Sequence, residues 1–231
     1  MLSHGGSIQW DRCHTVPMLQ RSLTGLTALF MLVACGSSSL PGIASGPTVS
    51  SISVQQGDLP SDMKKCDLSG DIGSFLNKSK AKDPNYAATK KEWDDAKTQG
   101  ATGAYAAFYT DSTANCANIA SNSSDLSSAS YKLAVNFVIQ FKDEASASKG
   151  YSSGSILGFS ASSLKTSGAP VVEGTKTGLT ANSIVLSVAI SSQSFYVAVW
   201  QNKTFMVILA ILNIDTATCK KVALAVNGRI K

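Results

Sequence analysis

Histidine is almost absent from this sequence. The chain has 231 residues and two histidines, His4 and His14, so no residue after position 14 carries an imidazole. Histidine is the commonest general base and the commonest metal ligand in proteins. Ser-His-Asp hydrolase chemistry, papain-like Cys-His chemistry and histidine-ligated zinc are therefore excluded in their usual forms from the main part of the chain.

Charge is sparse as well, and arginine is scarce among the charged residues. Charged residues make up 15% of the chain, the net charge is +5, and the arginines are Arg12, Arg21 and Arg229. The lysines are scattered and form no long basic run. Nucleic-acid-binding proteins usually concentrate Lys and Arg on one face, and arginine is the residue best suited to bidentate phosphate contacts. We therefore expect no nucleic acid as a partner.

Motifs for redox and cofactor chemistry are missing too. No Cys-x-x-Cys pair is present, so a thiol oxidoreductase is not expected. The glycine-rich stretch 150–158 lacks the strand-to-helix context and the lysine that phosphate-binding loops require. We predict no cofactor, no metal and no enzymatic activity.

A short apolar stretch near the start has the features of an export signal. Arg21 supplies a positive charge, and the apolar residues 23–33 follow it. A stretch of about ten residues suits the core of a signal peptide and is too short to span a bilayer. It ends in Leu32-Val33-Ala34-Cys35, which resembles the lipobox of bacterial lipoprotein precursors. The resemblance covers only this segment.

The resemblance implies a signal peptide at 1–34, cleavage before Cys35 and diacylglycerol on the Cys35 sulfur. Acylation of the new amino terminus often follows, and two or three acyl chains anchor a protein stably where one is marginal. Residues 1–17 are unlike a signal peptide, so translation is expected to start at Met18. The expected location is the extracytoplasmic face of a cell membrane, with inner and outer membranes both left open.

Composition divides the remaining chain into a tether and a domain. Residues 36–51 are rich in Ser, Gly and Pro without an apolar period, which is typical of a flexible tether. The run 52–55 suggests a first short strand. We assign 35–57 to the lipidated cysteine and tether. Residues 58–231 form one folded domain, which is large enough to bury a core.

Helix signals are clearest at two places in this domain. Asp83 followed by Pro84 predicts a helix that begins there and ends at Gly100. A second helix is predicted over 215–227, with Asp215 as its N-cap and an apolar stripe that includes Cys219.

Strand signals dominate the second half. Apolar residues alternate with mostly polar ones in several segments, whereas 205–212 is apolar throughout and predicts a central strand. The predicted strands are 102–110, 131–141, 184–190, 195–201 and 204–214. Short connections between the last three predict antiparallel neighbours. The fold class is therefore α+β, a single domain with an antiparallel sheet of about five or six strands and helices packed mainly on one face.

Three cysteines remain after Cys35, an odd number for an oxidising compartment. Cys66 and Cys116 both lie in polar surroundings near helix ends, which favours a disulfide between them. Cys219 is expected to be a small buried apolar residue on its helix. A Cys116–Cys219 pair is the alternative.

Two groups of carboxylates merit consideration as sites. The irregular stretch with Asp62, Asp67 and Asp71 offers oxygen ligands for a cation, but helix caps and solvated carboxylates are the favoured interpretation. The acids of residues 92–95 would suit glycoside chemistry if they were paired. Lys90 and Lys91 lie four residues before Asp94 and Asp95, which favours a salt-bridged outer face.

An aromatic ligand platform is the remaining candidate site. Tyr196 and Trp200 are spaced to lie on one face of a predicted strand. Packing beneath a helix is the alternative for both side chains.

These observations favour a membrane-anchored, extracytoplasmic lipoprotein that is a non-enzymatic ligand- or partner-binding module. The alternative is a carrier of lipid or another apolar ligand, suggested by the surplus of apolar residues at 205–212. An enzyme that uses carboxylates alone is a third possibility. The expected partners are the membrane, through lipid on Cys35, and an unknown protein or small apolar ligand.

Overall fold

The alternating segments of the sequence form one antiparallel sheet. A computed structural model describes residues 46–123 and 129–231. The predicted signal peptide and Cys35 lie outside the described residues. The strands are β1 (Lys64–Lys65), β2 (Gly70–Asp71), β3 (Ala101–Thr110), β4 (Leu133–Phe141), β5 (Val171–Glu173), β6 (Ser183–Ile190), β7 (Gln193–Asn202) and β8 (Phe205–Leu212). Their order is β1-β3-β4-β8-β7-β6-β5, and β2 also pairs with β3.

Seven α-helices accompany the sheet in the described part of the chain. They are α1 (Val49–Ile52), α2 (Ile72–Ser79), α3 (Tyr86–Thr98), α4 (Thr113–Ser121), α5 (Glu144–Ser153), α6 (Ala161–Lys165) and α7 (Thr216–Gly228). Short 3-10 turns lie at Gln56–Asp58 and Gly174–Thr177. None of the helices in the two described ranges is long and apolar enough to cross a bilayer.

The predicted fold class is confirmed, and the sheet is larger than expected. The long strands lie where the alternation placed them, whereas β1, β2 and β5 have two or three residues each. Such short strands contain too few residues for a period of two to be detected. The predicted α3 starts later than expected, because its N-cap is Asn85 and not Asp83.

Two apolar cores lie on opposite faces of the sheet. Helices α2 to α6 cover one face, and α1 and α7 cover the other. The central strands β4 and β8 are buried on both faces, as the continuous apolar run of β8 predicts. The helices therefore lie mainly, but not entirely, on one side.

The folded domain begins earlier than composition suggested. The sequence analysis assigns residues 35–57 to the tether, but Ile52 and Val54 are buried in the core beneath α7. The expected strand at 52–55 is instead the end of α1 and an extended stretch. The reason is a set of contacts made with residues far along the chain, which composition does not encode.

Buried Asn136 on β4 makes the central contact of this segment. Its Oδ1 accepts hydrogen bonds from Ser53 Oγ (2.9 Å) and the Val54 amide (3.0 Å), and its Nδ2 donates to the Ile208 carbonyl (2.9 Å). Tyr109 Oη donates to the Val54 carbonyl at 3.0 Å. These bonds fix the segment against the sheet.

The sole arginine after position 21 completes the attachment. Arg229 follows α7 and donates to Asp58 Oδ1 at 2.5 Å and to the Ser53 carbonyl at 3.2 Å. The ion pair is largely shielded from solvent, since the Asp58 side chain is 10% exposed. The start of the domain is thus joined to its end.

Candidate partner-binding edge

The predicted aromatic platform is not present. Tyr196 and Trp200 lie on the face of β7 that packs beneath α7, and both are buried. Burial raises the pKa of the Tyr196 hydroxyl to about 12. The alternation was correctly recognised, and the alternative interpretation holds, because α7, which follows β8 along the chain, covers both side chains. The assignment of Tyr196 and Trp200 to a ligand site is therefore wrong.

The cysteines are arranged as the sequence favoured. Cys66 and Cys116 form a disulfide with a Cα–Cα distance of 5.3 Å, which joins the loop after β1 to α4. Cys219 is a free, buried thiol in the core beneath α7, on the opposite face of the sheet from Cys66. Burial raises the pKa of the Cys219 thiol to about 12, so it is not a reactive nucleophile.

The three aspartates of 62–71 do not converge on one site. Asp62 Oδ2 pairs with Lys132 Nζ at 2.6 Å, and Asp71 caps α2 by accepting from the Ser74 amide. No group of three acidic, histidine or cysteine side chains in the described ranges is arranged to hold a metal ion. Capping and surface pairing account for Asp62 and Asp71.

The acids of α3 also have structural partners. Asp94 and Asp95 pair with Lys90 and Lys91 at 2.5 and 2.6 Å, as the spacing predicted. Hydrogen bonds from Lys90 and then Lys97 lower the pKa of the Asp94 carboxyl to about 2. These pairs occupy the outer face of the helix and leave no coupled acid and base.

Glu92 has a role that sequence reasoning missed. Its carboxylate accepts hydrogen bonds from Ser155 Oγ (2.8 Å) and from the amides of Leu157 (2.8 Å) and Gly158 (3.1 Å). It thereby holds a loop in which Leu157 has a positive φ of 53°. Because its partners lie more than sixty positions away, no local pattern indicates this contact.

One stretch of α5 has the spacing Gly-x-Ser-x-Gly, at residues 150–154. In hydrolases that spacing places a serine on a sharp turn between a strand and a helix. Here Ser152 lies inside α5 and donates to the Ser148 carbonyl at 3.0 Å. The stretch is a helix segment and not a nucleophile elbow.

The sheet has an incompletely paired edge at β5 and β6. Strand β5 pairs with β6 through Val171–Leu186, Val172–Val185 and Glu173–Ile184. The next position before β5 is Pro170, which would face Ser187 if the register continued. Proline has no amide hydrogen to donate, so the ladder ends there. Residues 187–190, which we call the open edge, pair only with β7 among the described residues.

Three large apolar side chains are exposed in β5, β6 and α7. In the described part of the chain the exposed large hydrophobic residues are Val172 (45% exposed), Ile190 (61%) and Leu224 (50%). Val172 is in β5, Ile190 ends the open edge, and Leu224 is in α7. Val172 shares the α7 side of the sheet with its partner Val185, whereas Ile190 continues the alternate positions Leu186 and Val188 on the opposite face.

A groove runs between the edge and α7. It has a volume of about 310 Å³ and is lined by Pro170, Val171, Val172, Val185, Ser187, Thr216 and Lys220. Thr216, Lys220 and Leu224 are four residues apart and therefore share one face of the helix. Ser187 Oγ lies 3.3 Å from Thr216 Oγ1, where the groove meets the open edge.

The open edge lies far from the point where the chain joins the domain. Residues 46–49 lie beside Lys203, in the turn between β7 and β8. In β6 the end nearest that turn is Ser183, opposite Trp200, whereas Ile190 faces Gln193 at the other end. The open edge is thus at the end of the sheet away from residues 46–49.

Sequence reasoning did not identify this edge. Pro170 before a short Val-Val segment was a usable signal for an edge strand, as was Leu224 on the otherwise polar side of α7. The position of β5 at the outside of the sheet is a property of strand order, which local patterns do not give.

Comparisons with known proteins give little further information. No protein-family model matches the chain, and no curated protein matches it. A solved structure, the extracellular domain of PknH from Mycobacterium tuberculosis, aligns with 80% of this chain and 97% of its own. The identity is 10% and the TM-score is 0.46, which is too low to establish a common fold.

Proposed function

We propose that this chain is a lipoprotein of the cell envelope that binds another protein while held at a membrane by lipid on Cys35. The anchor rests on the lipobox at 32–35. Binding is assigned to the β5–β6 edge, which comprises β5, the open edge and the groove beside α7. We propose no catalytic role for the domain.

The unpaired backbone of residues 187–190, next to a groove lined largely by apolar side chains, carries this proposal. Natural proteins usually protect such edges with charges, bulges or a covering segment, because open edges invite pairing with other chains. Residues 187–190 carry no charge, and Ile190 at their end is exposed. An unprotected edge of this kind is explained if a partner covers it.

The apolar residues that suggested a lipid carrier have a structural explanation. The apolar residues at 205–212 form β8, which is buried on both faces between the two helix layers. They are core residues of a central strand, and their number needs no bound lipid to explain it.

A charge-reversal experiment in native membranes tests the proposal. Val172→Asp combined with Leu224→Asp should release the protein from its complex, because two carboxylates cannot be desolvated in an apolar interface without large cost. The matched control is Ala87→Asp with Ala88→Asp, which places two new charges on the exposed side of α3.

Native gel electrophoresis after mild detergent extraction, with mass spectrometry of the complex, provides the readout. Wild type and the α3 control should migrate with one and the same second protein, and the edge variant should migrate as a monomer. Complexes of equal size for all three proteins would contradict the proposal, as would an assembly that contains only copies of this chain.

A further inference from the structure

We infer that the partner binds as an added β-strand along the open edge and places an acidic side chain next to Lys220. This inference rests on the proposed function and specifies the kind of partner segment that the edge accepts. The segment is extended, apolar on one side, and carries a carboxylate on the side that faces α7.

The backbone of the open edge supplies the first argument. In an antiparallel pair, alternate residues direct their N–H and C=O groups toward the neighbouring strand and away from it. Residues 187–190 pair with β7 on one side only, so every second residue presents an unpaired donor and acceptor outward. An extended segment satisfies these groups, as in other cases of strand addition.

The length of the open edge is limited at both ends. β5 occupies the space beside residues 184–186, Pro170 comes next, opposite Ser187, and the turn after Ile190 ends the strand. The added strand therefore spans about three residues, and side-chain contacts must supplement its backbone bonds. Membrane tethering compensates for a small interface by raising the effective concentration of a partner on the same membrane.

Charge supplies the second argument. Lys220 lines the groove, is exposed, and forms no ion pair among the described residues. No carboxylate lines the groove, whose other residues are apolar or carry hydroxyl groups. A partner side chain that enters the groove beside Ser187 and Thr216 would meet one positive charge. Complementarity therefore selects a carboxylate at this point.

A second copy of this chain is a poorer occupant of the edge. Antiparallel pairing of two open edges requires a two-fold axis perpendicular to the sheet. Such an axis places both α7 helices on the same face of the combined sheet. The two Lys220 side chains would then lie on that same face, and neither groove contains a carboxylate that could pair with them. Like charges placed together in an interface are unfavourable.

Peptide binding to the full chain in detergent micelles tests the backbone argument. The probe is a fluorescein-labelled peptide with the sequence Thr-Val-Asp-Val-Thr-Val, in which Asp and Thr share one face of the strand. N-methylation of single peptide amides removes one donor each. Strand addition predicts that methylation weakens binding at alternate positions only, measured by fluorescence anisotropy. Equal effects at all positions, or none, would overturn it.

Charge exchange tests the position of the acidic side chain. Lys220→Glu should weaken binding of the Asp peptide at least about fivefold and strengthen binding of the same peptide with Lys in place of Asp. Lys221→Glu makes the same change one residue away, on a part of α7 that does not line the groove, and should leave both affinities unchanged. Equal responses of the two variants would overturn the assignment of Lys220.

Failure of this inference can be distinguished from failure of the proposed function. If the peptide fails to bind while Val172→Asp with Leu224→Asp still dissolves the native complex, the edge binds a partner by side-chain packing, and strand addition is wrong. If the peptide fails to bind and the double edge variant also leaves the native complex intact, the proposed function is wrong as well.

Discussion

Asn136 shows how a single buried side chain sets the boundary of this domain. It lies on β4, fully buried, and both ends of its amide are satisfied by the segment at 53–54 and by β8. Hydrophobic patterns predicted β4, but they place Asn136 among its polar positions, on the face expected to be exposed. Its role depends on a partner more than eighty positions away in sequence, which explains why the tether was drawn too long.

We predict that Asn136→Ala lowers the free energy of unfolding by about 3 kcal/mol, because it leaves the buried Ser53 hydroxyl and the Val54 amide without their partner. Urea denaturation measures the change. Asn118→Ala on the exposed side of α4 is the matched control and should stay within about 0.5 kcal/mol of wild type. Similar values for both variants would contradict the role given to Asn136.

The disulfide offers a second test at the residue scale. Cys66 and Cys116 are separated by 50 positions, and a cross-link over such a loop stabilises by about 4 kcal/mol in the chain-entropy model. The double variant Cys66→Ser with Cys116→Ser should lose that amount. A reducing agent should destabilise wild type and leave the double variant unchanged. If reductant shifted both proteins equally, the pairing would be wrong.

At the scale of elements, the long strands and α7 were predictable and the edges were not. The alternation predicted β4, β6 and β7, and α7 was expected over 215–227 and extends over Thr216–Gly228. These segments have enough residues for a hydrophobic period to be detected. Strands β1, β2 and β5 are too short for that, although β5 determines where the open edge begins. Strand order is a long-range property, so the candidate site was beyond local reasoning.

The stability contributed by the N-terminal segment 46–57 is the prediction at the scale of an element. A chain that begins at residue 46 should be more stable than one that begins at 58, by at least about 3 kcal/mol, because the shorter chain loses the burial of Ile52 and Val54. The shorter chain also leaves Asn136 and Tyr109 without their bonds to 53–54. Thermal or urea denaturation of both chains measures the difference. Equal stability would restore the boundary at 57.

At the scale of the whole molecule, the lack of histidine predicts how stability depends on pH. Burial raises the pKa of Tyr109, Tyr196 and Cys219 to about 12, above their unfolded values. Their stabilising contribution is complete below about pH 9 and decreases as pH rises through the folded values. Hydrogen bonds lower the pKa of Asp94 and Asp215. Their contribution is complete above about pH 4 and decreases as pH falls further.

No residue after position 14 is a histidine, the side chain that ordinarily titrates between these limits. We therefore expect the urea midpoint to be constant from about pH 5 to pH 8, to decrease below about pH 4 and to decrease above about pH 9. Urea titrations across this range test the expectation. A sigmoidal change centred between pH 6 and 7 would show a titrating group that this structure does not contain.

The N-terminal segment of the domain and the open edge lie at opposite ends of the sheet. The chain joins the domain beside the turn at Lys203, and the open edge lies at the opposite end. Residues 46–49 and the open edge are thus separated by the length of the strands.

The most direct test of the account is site-specific photo-crosslinking in native membranes. A photoreactive residue is introduced in place of Val172, Ile190 or, as a control on another part of the surface, Asn118. The account predicts that positions 172 and 190 crosslink to one and the same second protein and that position 118 does not. Equal crosslinking from all three positions, adducts only between copies of this chain, or no adduct from 172 and 190 would contradict it.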